Sequence, residues 1–186
     1  MGKREDIIEA TKELLWQKGY EATSPRDIQD RSHAGQGSFY HHFSSKQALA
    51  RVAIDEMVDE RIADFEAAMA RPGSFCERLI SYLAQNKRPM LGCRIGRLVW
   101  DAAIESDELR EPMNRYFKHL EKRLIQILKA EQADGHIKLK MPAEQITLLI
   151  IASVQGGFAV SRAMKTSRTA DLRVALQSLL ALALET

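Results

Sequence analysis

Residues 24–49 decide the fold, and they read SPRDIQDRSHAGQGSFYHHFSSKQAL. Ser24 can cap a helix that begins at Pro25, since proline is tolerated at the first helical position, and Asp27 can complete a capping box. This helix is short, because the turn around Gly35 follows within a few residues, and a second short helix begins there. Two short helices joined by a tight, glycine-containing turn predict a helix-turn-helix, a motif whose second helix lies in the major groove of DNA.

Charge is distributed unevenly around this stretch. The net charge of the chain is only +2, which by itself does not indicate a nucleic-acid partner. Residues 31–54 nevertheless contain no Asp or Glu, and they carry these basic residues and histidines: Arg31, His33, His41, His42, Lys46 and Arg51. A phosphate backbone favours such a surface. A chance gap in a sequence of mixed charge would look the same.

Helical periodicity continues through the rest of the chain. A first amphipathic helix ends at Lys18-Gly19, and a long helix runs from about residue 47 to residue 70. Pro112 predicts a kink or a restart near the beginning of a later long helix. The run ITLLIIASVQGGFAV, residues 146–160, is apolar on nearly every face and predicts a helix buried on all sides. No strand pattern is evident, so we predict an all-α chain.

The helix-turn-helix stretch resembles the N-terminal signature of the tetracycline-repressor (TetR) family of regulators. The resemblance rests on the order and spacing of GYEATS (residues 19–24), DI (27–28), GSFYHHF (37–43) and SKQAL (45–49). It implies a three-helix DNA-binding domain at residues 1–46. It also implies a C-terminal helical domain at residues 47–186 that binds a ligand and dimerises, with about nine helices in all.

The resemblance also implies which residues contact DNA. The contact set comprises Thr23, Ser24 and Arg26 of the second helix, Gln36, Gly37, Ser38, Tyr40 and His41 of the recognition helix, and Lys46 at the start of the fourth helix. Lys3 and Arg4 are either additional phosphate contacts or a solubilising tail. Phe39 and Phe43 are expected in the core instead, Phe39 packing with Ile28.

Glycines in this region have a separate role. Gly35 and Gly37 allow close approach of the protein backbone to DNA. The side chains around them offer hydrogen-bond donors and acceptors of the kind that reach base edges and phosphates. We therefore expect this segment to be the part of the chain that reads an operator.

In the TetR family the C-terminal helices enclose a ligand pocket. Candidate lining residues are Met90, Cys93, Trp100, Met113, Tyr116, Phe117, Gln155 and Phe158. An aromatic stripe at helical spacing is also typical of an ordinary core. The GCxxG segment, residues 92–96, resembles a TetR branch in which some members sense electrophiles or oxidants through a cysteine. Arg88, Arg94 and Arg97 lie close in sequence and would favour the reactive thiolate of Cys93.

The cysteines have plainer interpretations as well. Cys93 can be a small residue that packs a loop against the core, and Cys76, which follows Phe75 on a helix, is interpreted as inert. Two cysteines without CxxC spacing predict neither a disulfide scaffold nor a metal site. We expect no cofactor and no metal.

Small residues in the penultimate helix predict a homodimer. Ala152, Ser153, Gly156, Gly157 and Ala159 give that helix a surface for close packing. Together with the leucine stripe of the last helix it could form a four-helix bundle across a two-fold axis. An intrachain core is the alternative interpretation.

These features predict a cytoplasmic, ligand-responsive transcriptional repressor. Its partners would be a double-stranded DNA operator, a small-molecule effector and a second copy of the chain, with no membrane association. A small molecule, or modification of Cys93, would release it from a near-palindromic operator. Activation instead of repression stays open. An enzyme is a competing class, but the chain lacks GxSxG, HExxH, P-loop and dinucleotide motifs. A helical adaptor without DNA binding is another.

Overall fold

The computed structural model describes residues 2–86 and 88–185, and these are helical almost throughout. The described residues form eight α-helices: α1 (Lys3–Lys18), α2 (Pro25–Ser32), α3 (Gln36–His42), α4 (Lys46–Met69), α5 (Phe75–Ala84), α6 (Asp107–Ala133), α7 (Ala143–Ala163) and α8 (Thr169–Ala183). Two short 3-10 helices, Leu98–Trp100 and Ala102–Glu105, precede α6. The predicted all-α class is confirmed. The predicted restart at Pro112 is absent, because α6 runs unbroken through that proline.

A minimal strand pair accompanies the helices. β1 (Lys138–Leu139) and β2 (Leu184–Glu185) pair in antiparallel register, with Lys138 opposite Glu185 and Leu139 opposite Leu184. The pair joins the α6–α7 connection to the end of α8. Strands of two residues are too short to show alternation, so the sequence pattern did not reveal them.

The chain divides into two compact units, and the helices α4 and α6 each contribute residues to both units. Unit 1 contains the residues up to Arg61 together with Arg94–Tyr116. Unit 2 contains Ile62–Cys93 together with the residues from Phe117 onward. The helix-turn-helix therefore shares its unit with residues 46–61 of α4, the two 3-10 helices and the start of α6.

The core of unit 1 forms around the first three helices. Ile7 and Leu15 of α1, Ile28 of α2, Phe39 of α3 and Leu49 of α4 are all buried. The expected core positions of Ile28 and Phe39 are thereby confirmed. Burying one such side chain contributes about 1.5–3 kcal/mol, so this cluster is a main source of the unit's stability.

A buried lysine joins α1 to α4 within unit 1. The side chain of Lys12 is only 3% exposed, and its ammonium lies 2.5 Å from Glu9 Oε1 and 3.4 Å from Glu56 Oε2 and also pairs with Glu60. Burial opposes the charge, but hydrogen bonds to Glu60 and Glu9 outweigh it and raise the pKa of Lys12. The lysine is thus charged and fully paired, as a buried cation must be.

Unit 2 is built on α5, α7 and α8 with residues 62–69 of α4 and 117–133 of α6. A reciprocal cap between Ser74 and Glu77 starts α5. A Cβ added to Gly157 of α7 would lie 2.7 Å from Leu172 Cδ2 of α8, so a larger residue here would displace the Leu172 side chain. Gly157 therefore serves the intrachain core and not the dimer surface predicted for it.

The α7 helix is not buried on all sides, contrary to the sequence prediction. Leu148 is 66% exposed, and Ala152, Gly156 and Val160 on the same side are exposed too. The opposite side, with Ile146, Thr147 and Ile150, is buried. The helix is long and apolar enough to cross a bilayer, a test that core helices of soluble proteins also pass. An apolar run without polar positions cannot show which of its sides lacks a partner.

Candidate nucleic-acid interface

A reciprocal cap fixes the start of α2. Ser24 Oγ accepts a hydrogen bond from Asp27 N at 3.1 Å, and Asp27 Oδ2 accepts one from Ser24 N at 2.7 Å. The predicted capping box is confirmed. Lys18 Nζ lies 2.8 Å from the same carboxylate. Hydrogen bonds from Lys18 and then from Ser24 hold the pKa of Asp27 well below its usual range, so the cap is charged at neutral pH.

Thr23 does not present its side chain to DNA, contrary to the prediction. The residue is 1% exposed, and its hydroxyl donates to Gly19 O at 2.6 Å. Its own N–H donates to Tyr20 O at 3.1 Å. Thr23 therefore closes the α1–α2 turn, and its hydroxyl donor is already used. Ser24 is exposed, and the side chain of Arg26 is 89% exposed, so both remain accessible.

The α3 helix has one side in the core and one in solvent. Phe39 and Phe43 are buried, which confirms their predicted core positions. The predicted recognition residues lie on the other side: Gln36, Gly37, Tyr40 and His41 are exposed and Ser38 is half-buried. Spacings of three and four residues place them along one surface of the helix. The Tyr40 ring stands edge-on to Phe39, with 5.0 Å between ring centroids, so the core residue orients the exposed one.

Two glycines on this surface are required neither by close packing nor by a positive φ. A Cβ added at Gly35 or Gly37 would meet no atom within 4 Å, and neither residue has a positive φ. Glycine within a helix costs about 1 kcal/mol relative to alanine. Nothing in the described chain requires glycine at position 37. The missing side chain leaves room for a partner that approaches the helix backbone from outside.

Basic side chains of unit 1 lie against the helix-turn-helix. The ammonium of Lys46 sits 4.1 Å from the centroid of the Tyr20 ring, and Ser45 Oγ caps α4 by accepting from Ala48 N at 3.0 Å. Lys3 Nζ donates to His33 O at 3.2 Å, and the Arg4 guanidinium lies 5.6 Å from the centre of the Phe43 ring. Lys3 and Arg4 therefore contact the helix-turn-helix and do not form a detached tail.

The predicted effector residues of unit 1 do not share one environment. Met113 and Tyr116 are buried in its core. Trp100 is 85% exposed, so it does not line an enclosed pocket as predicted. In a 3-10 helix residues two apart face different sides, and Leu98 at the start of this helix is buried, as is Ile95 in the preceding turn. Trp100 is consequently turned outward.

In unit 2 the structure brings Phe158 to the GCxxG segment. Gly92 has φ +74°, and a Cβ there would lie 3.2 Å from Phe158 Cβ. Arg162 Nη2 donates to Leu91 O at 2.8 Å, so α7 holds the loop that carries Cys93. Of the other residues of this unit that were predicted to line the pocket, three are half-buried, Cys93, Phe117 and Gln155, and Met90 is exposed.

Two family profiles match the chain. Residues 7–53 match the family described as "Bacterial regulatory proteins, tetR family", and residues 68–176 match "Tetracyclin repressor-like, C-terminal domain". The second match alone spans more than half of the 186 residues. The chain belongs to the TetR family. TetR membership confirms the resemblance carried by residues 19–49 and extends it to the C-terminal helices.

TetR-family relatives cover most of the chain. It is 29% identical over 179 residues to an uncharacterised HTH-type transcriptional regulator in the lacX 3′ region of Lactococcus lactis subsp. lactis, covering 92% of this chain and 86% of that protein. It is 26% identical to the HTH-type transcriptional repressor DhaR of Mycobacterium sp. strain GP1, covering 82% and 79% respectively.

Solved TetR-family structures share the fold. A TetR-family regulator from Agrobacterium tumefaciens matches with a TM-score of 0.86 at 21% identity, over 98% of both chains. The reduced form of Escherichia coli NemR matches with a TM-score of 0.82 at 17% identity, over 100% of this chain and 98% of that one. At identities this low, the structural matches show that the fold is shared.

The sequence did not predict the role of Asp101, a residue of the unit that contains the helix-turn-helix. Asp101 accepts hydrogen bonds from the backbone N–H groups of Tyr20 and Glu21, although it lies 81 residues from Tyr20 along the chain. A lone aspartate after an aromatic residue carries no local signal of such a contact. Buried polar atoms without a partner in the described part of the chain include Arg97 Nε and Thr147 Oγ1, and sequence gave no hint of these either.

Proposed function

We propose that this TetR-family regulator represses transcription by binding an operator through α3 and leaves the operator when a small molecule binds. The observation that carries the proposal is the solvent side of α3, where exposed polar side chains surround a glycine that the fold itself does not require. The similar repressors support repression as the sense of regulation. The contacts we propose are those of Ser24, Arg26, Lys46 and the α3 residues named above.

We propose further that the regulator is a homodimer. The apolar face of α7 and α8 that supports this consists of Leu148, Ala152, Gly156, Val160, Val174 and Leu182, all exposed in the single chain. Contiguous exposed apolar surface of this kind marks a protein interface, and a two-fold dimer uses the same patch on both copies. A two-fold dimer would read two half-sites about 34–36 Å apart, which makes a near-palindromic operator the expected target.

Release requires an effector that binds the released conformation better than the DNA-bound one. We propose that effector contacts come from unit 2, from Phe158 and the neighbouring GCxxG loop. Modification of Cys93 is a second route to release. Cys76 is excluded from this role because burial, reinforced by Glu77, raises the pKa of its thiol and disfavours the thiolate. A regulator of this kind acts in the cytoplasm and needs no catalytic activity.

Operator binding by defined variants tests the proposal. Fluorescence anisotropy would compare the DNA upstream of the protein's own gene with a random duplex at the same salt concentration. Tyr40→Ala should weaken operator binding about tenfold or more, the size of one specific contact. Gly37→Ala should also weaken binding while raising the melting temperature, because alanine favours the helix.

The control is Lys122→Ala, which truncates an exposed side chain of α6 in unit 2 and should leave binding unchanged. Opposite shifts of stability and affinity in Gly37→Ala would identify the helix backbone as a DNA-facing surface. Wild-type affinity in both α3 variants would refute the proposed interface. Failure of the wild type to bind any upstream fragment would refute the function itself. Repeating the titration after peroxide treatment, with Cys93→Ser beside Cys76→Ser, tests the cysteine route.

A further inference from the structure

The turn between α1 and α2 is held by a residue from outside the helix-turn-helix. Asp101 Oδ2 accepts from Tyr20 N at 3.0 Å, and Oδ1 accepts from Glu21 N at 3.2 Å. Oδ1 also accepts from Ala103 N at 3.2 Å, which caps the second 3-10 helix. The Asp101 carboxylate therefore binds both the α1–α2 turn and the start of the 3-10 helix that follows it, Ala102–Glu105.

The absence of a side chain at Gly19 makes this contact possible. Gly19 has φ +84°, and a Cβ there would lie 2.1 Å from Asp101 Oδ2. The turn is closed on its other side by the buried Thr23 hydroxyl, which donates to Gly19 O. Both the backbone conformation and the space are thus fitted to the carboxylate.

The same turn carries the aromatic ring that holds Lys46. The Tyr20 backbone is bound by Asp101, and the Tyr20 ring lies 4.1 Å from the Lys46 ammonium. A cation positioned over an aromatic face is attracted by the ring electrons and keeps a defined position. Movement of the turn would therefore move the ring and release the lysine.

We propose that Asp101 is a positioning residue for DNA binding: its carboxylate fixes the α1–α2 turn and, through the Tyr20 ring, places the Lys46 ammonium for a phosphate contact. The inference rests on the proposed DNA-binding function and deepens it. Other contacts support the same arrangement, because Gln47 Nε2 donates to Ser106 Oγ at 3.2 Å and to Glu108 Oε2 at 2.8 Å. Residues 101–108 thus contact Tyr20 and also Gln47, the residue that follows Lys46 in α4.

Asp101→Asn tests the proposal with little change of shape. Asparagine keeps one acceptor but turns an N–H donor toward a backbone N–H donor. Loss of a negative charge by itself strengthens DNA binding, so weaker binding in this variant points to lost positioning. We expect operator affinity to fall about tenfold or more. The slope of log K against log salt should shrink by about 1.8, because each of the two protomers of the proposed dimer loses one phosphate contact worth about 0.9.

Glu105→Gln is the matched control, because Glu105 is an exposed acid of the second 3-10 helix and loses the same charge. It should bind as tightly as wild type or more tightly. Tyr20→Leu leaves the backbone N–H groups in place and should reproduce the smaller salt slope. The double variant with Asp101→Asn should be no worse than Asp101→Asn alone, since both act on one path.

The outcomes separate the inference from the function it rests on. Asp101→Asn binding like Glu105→Gln would overturn the positioning role. Weaker binding with the wild-type salt slope would also overturn it and leave a purely structural aspartate. Circular dichroism melting verifies that each variant is folded, and if Asp101→Asn does not fold, the slope of Tyr20→Leu decides. Absence of wild-type binding to any duplex would instead overturn the proposed function, and the inference with it.

Discussion

At the scale of single residues, Asp27 shows how one side chain serves several neighbours. Its carboxylate accepts from the N–H and hydroxyl of Ser24, at 2.7 and 2.6 Å, and pairs with Lys18 at 2.8 Å. The cap satisfies backbone donors that a helix start would otherwise leave free. Ser24, one of the proposed DNA contacts, thus has a structural task as well, and a substitution there affects both.

Loss of this cap should destabilise the protein in a pH-dependent way. The depressed pKa of Asp27 means that its contribution is present at neutral pH and is lost as pH falls through the folded-state value. Asp27→Asn should therefore lower the melting temperature at pH 7, and the gap to wild type should begin to narrow below about pH 4, the pKa of an aspartate in the unfolded chain. Ser24→Ala should cost about 1 kcal/mol.

Thermal melts followed by circular dichroism between pH 7 and pH 3 would measure both effects. Asp30→Asn is the control, because Asp30 is exposed on the same helix and its Oδ2 lies as far as 3.9 Å from Arg26 Nε. A gap between wild type and Asp27→Asn that stays constant with pH would contradict the assigned role of the carboxylate.

At the scale of elements, α6 shows how a helix accommodates an internal proline. Pro112 has no N–H, so the carbonyl of Glu108 four residues earlier loses its helical partner. Arg51 of α4 replaces that partner, because its Nη1 donates to Glu108 O at 2.6 Å. The same guanidinium contacts Asp55 at 2.7 Å and Glu111 at 2.6 Å. An arginine from another helix therefore keeps α6 continuous through the proline.

A double-mutant cycle tests whether Arg51 replaces the N–H donor that Pro112 lacks. Arg51→Met should destabilise the protein by about 1–2 kcal/mol, because the Glu108 carbonyl loses its donor and the carboxylates of Asp55 and Glu111 each lose one. Pro112→Ala restores the missing N–H, so the loss caused by Arg51→Met should be about 0.5–1.5 kcal/mol smaller in that background. Urea unfolding of the four proteins gives the coupling free energy.

Arg115→Met provides the matched comparison, since Arg115 pairs with Asp55 and Asp59 and does not contact the freed carbonyl. Its combination with Pro112→Ala should be additive. Equal losses from Arg51→Met in both backgrounds would show that the guanidinium does not replace the proline's missing donor.

At the scale of the whole molecule, the apolar face of α7 and α8 is the basis of the proposed dimer. Leu148 and Leu182 are among the most exposed large apolar side chains of the described residues. Gly156, unlike Gly157, has open space around the position of a Cβ, so it is free to allow close approach of another helix. In the proposed dimer, a second copy of the chain supplies the same face, so each copy covers the apolar side chains of the other.

A charge placed on this face should separate the proposed dimer. Leu148→Glu removes apolar burial worth about 1.5–3 kcal/mol in each of two copies, so dimer affinity should fall at least about 100-fold. Analytical ultracentrifugation would show a monomer at concentrations where the wild type is a dimer, and operator affinity should fall with it. Ala130→Glu, an exposed position of α6, introduces the same charge as a control. A Leu148→Glu protein that stays dimeric would place the interface elsewhere.

The sequence by itself determined the features that depend on near neighbours. Caps, turns and helix periodicity arise from residues within about four positions of each other, so the sequence alone was enough to predict the capping box at Ser24 and Asp27. The burial of Phe39 followed from the same periodicity. The family resemblance of residues 19–49 has the same basis, because the motif is one continuous stretch.

Only the tertiary structure decided which side of an element is covered and which distant group satisfies a polar atom. Thr23 turned out to be buried, Trp100 exposed, and Gly157 packed against Leu172 of its own chain. Asp101 reached a turn 81 residues away. Burial and hydrogen-bond partners depend on segments that meet only after folding, and no periodicity within one segment encodes the identity of its neighbour.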